Sequence, residues 1–448
     1  VAFGYGAIQT QNLTSATDVL NVGIGYNSLG SNTTGVNNTA IGGESLDANT
    51  TASNNTAVGT SALGANTTGA QNTVIGSNAG LALTTGSNNV AVGFEALKNE
   101  DAHGLNTAIG TQALFTQNAG ADAYNVGVGY QAGAAVTTGV QNTLIGGLSG
   151  DAITVGGANI ALGYAALSSD TQGSKSIAIG TGALFTQNFT SATNAYNTAV
   201  GDTAGNAITT GTNNTFIGGL AGDANTTASY NTAVGVNALG ANTTGESNVA
   251  VGSQSLDANT TGLNNVAIGR QALDNNTTGS RNVAVGTNAL DANTTAGSNT
   301  AVGDGSLKAN TTATNNTAVG KDALTANTTG SENTTLGTAS GANVTTGQDN
   351  TIVGYNAANH NVALITGQRN VLIGAYSDTT ASDAFAANVI GYDVSGAAGY
   401  TTLGASGDDI RAAHGNVTWS TVSDERVKKD ITDSEAGLSF INDLRPVT

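Results

Sequence analysis

The side chains able to do chemistry are few, and their placement excludes more than it suggests. His103, His360 and His414 are the only histidines, and they share no metal-ligand spacing. There is no cysteine, so neither a disulfide nor a thiolate metal site exists. Asp-Ala-Asn stretches such as Asp257-Ala258-Asn259 offer oxygen ligands, but without the density of carboxylates that Ca²⁺ needs. No glycine-rich loop is built to cradle a phosphate, and no acid/base pair recurs. Asn-x-Thr sequons are frequent only because the surrounding pattern repeats. The one dense cluster of charged and nucleophilic side chains is Ser423–Thr448, with ten charged residues in 26. Cofactors and metals are therefore not expected.

The elements that carry these residues follow from a 17-residue period. An aliphatic-glycine pair, such as Val58-Gly59, recurs from Gly4 to Gly404, and 18 of the 23 intervals between these anchor glycines are 17 residues long. Short units at a fixed period cannot each bury a core, so they must stack on one another. The register also argues against disorder in a chain with 63 glycines and one proline. At about 4.8 Å per layer, the 24 anchors would give a rod of roughly 115 Å. A rod is a spacer and a surface, and a poor host for an enzyme pocket.

Each position of the unit has a physical reading. The run before the anchor, for example Thr56-Ala57-Val58, alternates with period 2 and predicts a short strand with one buried face. The anchor glycine predicts a tight corner. Four residues before the anchor stands Asn, from Asn21 to Asn370, with Ser176 the one departure; stacked amides at that site predict a ladder along the coils. Three residues after the anchor the residue is Ala or Ser, which implies close approach of another backbone. The next position is Leu in thirteen units and Gly in six. Three residues further on, the Leu units carry a polar residue. Five of the six Gly units carry an aliphatic there (Leu83, Val136, Ile153, Ile208 and Val344), and Asn225 is the exception. The two positions are thus expected to share one core site. Thr-Thr-Gly supplies a second β-prone stretch, so each unit reads as strand, turn, strand, turn.

The expected fold is all-β, a repetitive β-solenoid over residues 1–404. Longer loops are expected near 8–20, 115–124, 185–196 and 355–370, followed by a connector over 405–422 and a short helical segment over 423–448. Three longer units share an insert: Gln9-Thr10-Gln11-Asn12, Phe115-Thr116-Gln117-Asn118 and Phe185-Thr186-Gln187-Asn188. Loops are where binding usually sits. Phe115, Tyr124, Phe189 and Tyr196 are therefore candidates for receptor contact, against the reading of a tolerated insertion. A net charge of -18 repels phosphate backbones and argues against nucleic acid. No apolar run reaches the ~20 residues of a membrane span.

The Asn-x-Ala-Val/Ile-Gly units resemble the head repeats of trimeric autotransporter adhesins, which are left-handed parallel β-rolls. The longer form, Asn-Thr-Ala-Val-Gly-x-x-Ala-Leu-x-x-Asn-Thr-Thr-Gly, resembles the repeats of phage tail fibres still more. That resemblance implies a homotrimer, with phage tail or baseplate proteins and a host-surface receptor as partners. It places the chain in the virion, outside the cell. Ser423-Asp424-Glu425-Arg426-Val427-Lys428-Lys429-Asp430-Ile431, then Leu444-Arg445-Pro446-Val447-Thr448, resembles the opening of the C-terminal intramolecular chaperone of phage tail fibres and endosialidase tailspikes. The resemblance implies Ser423 as nucleophile and Lys428 as base, cleaving the chain after Ser423. A Ser–Lys pair is chemically sensible, because a desolvated lysine accepts a hydroxyl proton. The same run also reads as a helix start capped by Ser423. Function is thus expected to be structural and adhesive, not enzymatic. The rival is a bacterial surface adhesin or secreted fibre; a polysaccharide-cleaving tailspike lacks the clustered carboxylates it would need.

Overall fold

A computed structural model describes residues 1–12, 18–416 and 420–421. The expected helix and the candidate pair Ser423 and Lys428 lie outside the described residues. The chain divides into two compact units, residues 1–316 and 317–448. Both are all-β; no helix occurs among the described residues.

In the first unit, from Val22–Ile24 onward, each coil contributes a three-residue strand to the main sheet, and successive strands pair in parallel and in register. Thr56–Val58 pairs with Thr73–Ile75, Ala57 opposite Val74. The middle residue of each strand points inward and is fully buried, as at Ala57, Ala91 and Ala284. It is usually alanine because coils this short leave room for little more. The bulky aliphatic before the anchor points outward instead, half-exposed at Ile41, Ile75 and Ile109.

The anchor glycines adopt φ near +135°, for example +134° at Gly59, where a Cβ would stand 2.5 Å from the carbonyl oxygen of Gly76 in the next coil. Only glycine allows that corner. Wherever this position holds Leu or Gly it is left-handed, with φ +55° at Leu63 and +54° at Gly80. Leucine is strained there and is held by complete burial.

The shared core site has a third contributor. A Cβ on Gly133 would meet Leu144 at 2.6 Å and Val136 at 3.3 Å; one on Gly150 would meet Leu144 at 2.8 Å and Ile153 at 2.9 Å. Leu144 is the middle residue of its strand, enlarged from the usual alanine. The exception at Asn225 is thereby explained, because a Cβ on Gly222 would stand 2.6 Å from the ring of Phe216, another enlarged strand residue.

Asparagine forms two ladders. In the expected column the side-chain carbonyl of each Asn accepts the backbone N–H of its counterpart one coil on, as in Asn55 N–H to Asn38 Oδ1 at 3.0 Å and Asn72 N–H to Asn55 Oδ1 at 2.9 Å. Its amide NH₂ donates within the coil, Asn55 Nδ2 to Gly69 O at 2.8 Å. The amide-to-amide ladder runs instead through the Asn of Asn-Thr-Thr-Gly. There Asn259 Nδ2 donates to Asn242 Oδ1 at 2.8 Å and Asn276 Nδ2 to Asn259 Oδ1 at 3.0 Å. The amides are buried, so these bonds form where an unpaired group would cost about 1–3 kcal/mol.

One expectation needs correction. Thr-Thr-Gly is not a second strand. Thr67 and Thr68 both donate their N–H to the single carbonyl of Thr84, at 2.9 and 3.4 Å, and a ladder needs one acceptor per donor. Most coils therefore have one short strand and are otherwise turns and bends; a second pair of two-residue strands forms only at Gly173–Ser174 with Thr193–Asn194 and at Asp378–Thr379 with Ser395–Gly396 among the described residues.

The second unit is built from coils of the same kind. Val371–Ile373 pairs with Asn388–Tyr392, which pairs in parallel with Tyr400–Ala405. The chain then reverses. Asp408–Ala413 runs antiparallel to Tyr400–Ala405 through a turn with positive φ at Ser406 and Gly407. Part of the segment expected as a connector over 405–422 is thus a hairpin, whose antiparallel strand covers the edge of the parallel stack.

Four aspartates of the first unit, Asp47, Asp223, Asp257 and Asp274, occupy the same place in their coils. Burial is the first cause that raises the pKa of each; beyond it Asp223 and Asp274 each face the charge of Asp257, and Asp274 also that of Asp291. A folded chain that holds these protons more tightly than the unfolded one loses stability as pH rises. This contribution is fully present below the ordinary aspartate value of about 4 and fades as pH climbs through the raised values. The denaturation midpoint should therefore be higher near pH 4 than near pH 7, and Asp257→Asn should flatten that slope. A midpoint that climbs toward neutral pH would contradict the burial.

Candidate functional site

The insert shared by three coils is explained by structure. Gln takes the place of the ladder asparagine: Asn125 Nδ2 donates to Gln117 Oε1 at 2.7 Å, and Asn197 Nδ2 to Gln187 Oε1 at 2.9 Å. The preceding Thr ties the insert to the next coil. Thr116 Oγ1 lies 2.8 Å from Ala134 O and 3.0 Å from Val136 O; Thr186 and Thr10 repeat the arrangement. Gln187 also donates to Ser176 Oγ at 2.9 Å, which compensates the one missing ladder asparagine.

The aromatic candidates on these inserts separate. Phe189 is only 6 % exposed, tucked into its own insert, and has no face for a partner. Phe115 is half-buried beneath the Lys98 ammonium, 5.4 Å from its ring centroid. Tyr124 and Tyr196 are more than half exposed, both in left-handed backbone. Lys175 reaches the Tyr196 hydroxyl at 3.1 Å and sits over its ring. Among the described residues none of the four stacks on another ring, so they form no common surface.

The rings that do converge lie in the second unit. Tyr355, Tyr376 and Tyr392 come from successive coils. Tyr376 meets Tyr355 edge-on at 5.4 Å between centroids and Tyr392 edge-on at 5.9 Å. The imidazole of His360 lies 4.6 Å from Tyr376, and its Nε2 is 4.0 Å from Asp393 Oδ1. Tyr355 and Tyr392 are 52 % and 56 % exposed. Desolvation, and then the neighbouring Tyr355 and Tyr392, hold the Tyr376 hydroxyl above its usual range, so it remains a proton donor at neutral pH.

His360 is set in place by the long loop expected near 355–370. Asp378 is buried four residues after Gly374, the place that Leu or Gly fills in other coils, and here it begins a two-residue strand, Asp378–Thr379. Its Oδ2 accepts the backbone N–H groups of His360 at 3.1 Å, of Asn361, and of Val362 at 3.4 Å. Three donors on one carboxylate oxygen fold the loop back toward the tyrosines. Burial, as the largest cause, raises the Asp378 pKa against the pull of those donors.

Chemically the patch offers aromatic faces and edges, phenol hydroxyls, an imidazole and a carboxylate. It is a surface for stacking and hydrogen bonding, suited to a sugar or a peptide side chain. The signal was present in the sequence: Tyr355 and Tyr392 directly follow anchor glycines, and Tyr376 follows Gly374 by two. No helix of the described residues is long and apolar enough to cross a membrane. In comparisons with known proteins, no family model, no curated protein and no solved structure matches the chain.

Proposed function

We propose that the chain is the shaft of a homotrimeric adhesive fibre of a phage tail, wound left-handed, which carries contact surfaces to a host cell. The observation that carries this reading is the outer face of the sheet. From Val22–Ile24 to Thr300–Val302 in the first unit, the two outward positions of every three-residue strand of the main sheet hold only Val, Ile, Leu or Thr. Parallel sheets are stable when both faces are covered, and apolar stripes of this kind mark association sites. A partner that matches such a stripe coil for coil needs the same period, which a second and third copy supply. The resemblance of the repeat to tail-fibre and adhesin-head units supports the same assembly. The tyrosine patch around Tyr376 is the contact surface this reading favours, with Tyr124 and Tyr196 as lesser ones. Self-cleavage after Ser423, with Lys428 as base, belongs to the same proposal through the terminal resemblance.

Two measurements test it. The mass in solution should be three times 43.8 kDa; a folded monomer sinks the trimer. Gold-labelled antibody against the purified chain should decorate fibres on phage tails. Label confined to the surface of uninfected bacteria would favour the rival, a bacterial surface adhesin.

A further inference from the structure

Two coils of the first unit replace the ladder asparagine of Asn-Thr-Thr-Gly by a carboxylate, and each is followed one coil later by the Gln of an insert: Asp170 by Gln187 and Glu100 by Gln117. The first pair is complete. Asp170 Oδ2 accepts Gln187 Nε2 at 2.6 Å, while Oδ1 accepts the N–H groups of Gly173 at 2.9 Å and Phe189 at 3.2 Å. The second pair is not. Glu100 Oε1 accepts the His103 N–H at 3.2 Å, but Glu100 Oε2 and Gln117 Nε2 are both buried without a partner. Glu is one methylene longer than Asp, and its carboxylate does not meet the amide as Asp170 does.

The Glu100 carboxylate lies instead beside His103. His103 Nδ1 is 3.6 Å from Glu100 Oε1 and is itself a buried ring nitrogen without a hydrogen bond. Asp101 completes the group. One ligand atom from each of Glu100, Asp101 and His103 lies within 4.8 Å of the others. Glu100 is 0 % exposed, whereas Asp101 faces solvent, so the group is anchored inside and open outside. A carboxylate oxygen, Glu100 Oε2, and an imidazole nitrogen, His103 Nδ1, both buried without a hydrogen bond, are costly unless something binds them.

We propose that Glu100, Asp101 and His103 form a binding site for one divalent first-row transition-metal ion. Two carboxylates and an imidazole suit zinc or its neighbours, and a hard cation such as Ca²⁺ would take oxygen ligands without the imidazole. The ion would replace the amide that neutralises Asp170. It would tie together the turn after Lys98 through its three side chains, and the remaining coordination positions would be filled by water. The site is independent of the fibre reading, since it rests on one turn of one coil.

The test is calorimetric titration of the full chain with Zn²⁺, paralleled by Co²⁺, whose visible absorption reports its ligands. One ion per chain is expected, with cobalt bands that include a nitrogen ligand. His103→Ala should weaken zinc binding by more than the roughly 10–100-fold cost of losing a mere supporting group. Glu100→Asp should also abolish binding while leaving the chain folded, because it recreates the Asp170–Gln187 arrangement with Gln117. His360→Gln should change nothing. The proposal is overturned if Zn²⁺ does not saturate, if His103→Ala binds like the parent, or if Glu100→Asp retains full affinity. Preference for Ca²⁺ with no response to His103→Ala overturns it as well.

Discussion

Phe216→Ala should destabilise the first unit by about 3–5 kcal/mol, at the upper end for a core truncation. Phe216 is the largest fully buried side chain among the described residues, and its own coil and the one before are hollowed to admit its ring. A Cβ on Gly205 would stand 2.9 Å from the ring and one on Gly222 2.6 Å. Neither glycine can relax into the cavity, so little of it would collapse. The complementary change makes the test specific. Gly222→Leu alone should destabilise, because Phe216 fills the space. In the Phe216→Ala background it should restore part of the loss, since leucine already occupies the same left-handed position at Leu239, with φ +57°. Thermal melts of the parent, both singles and the double decide the matter. A double variant that melts below both singles would mean that Phe216 and the residue at 222 do not share a site.

Gly218→Ala and Gly219→Ala should differ widely although the residues are adjacent. Gly218 has φ +134°, and a Cβ there would meet the Gly235 carbonyl oxygen at 2.5 Å; a Cβ on Gly219 would meet nothing within 4 Å. The backbone strain alone is of order 1–3 kcal/mol, and the clash with the neighbouring coil adds to it. Gly218→Ala should therefore lower the melting midpoint strongly or abolish folding, while Gly219→Ala stays close to the parent. Equal midpoints would show that coils at this corner yield more readily than their spacing implies.

These two tests mark how far the sequence could be read. The coil, its corner glycine and its aspargine column were legible, because each repeats and each answers one local demand. The Leu/Gly exchange was also legible, but only as a pair. Its third member was hidden because an enlarged strand residue such as Phe216 or Leu144 fills glycines in its own coil and the one before, so the compensation crosses a coil boundary. Thr-Thr-Gly misled because β-propensity describes a fit to a pleated ladder, and two N–H groups there share one carbonyl. The aromatic inserts drew attention by their irregular length, yet their Gln and Thr serve the stack and Phe189 is buried. The tyrosines around Tyr376 escaped because the coil spacing that joins them, from Gly354 to Gly374 to Gly391, departs once from the period. The group at Glu100 was missed because the histidines were compared only with one another, while the ligand-bearing neighbours of His103 lie two and three residues before it.

Where the middle strand residue is alanine and the left-handed position is leucine, as in the coils of Leu239, Leu256, Leu273 and Leu290, one coil is chemically interchangeable with the next. A chain made only of these would have no address: a slip by one period would lose a bond at each end and nothing between. Leu144 and Phe216 break that symmetry, because each fits only opposite glycines placed to receive it. They act as index marks on a ruled scale. Whole coils can be gained or lost between the marks during evolution without disturbing any contact, whereas a mark and its glycines must be inherited together.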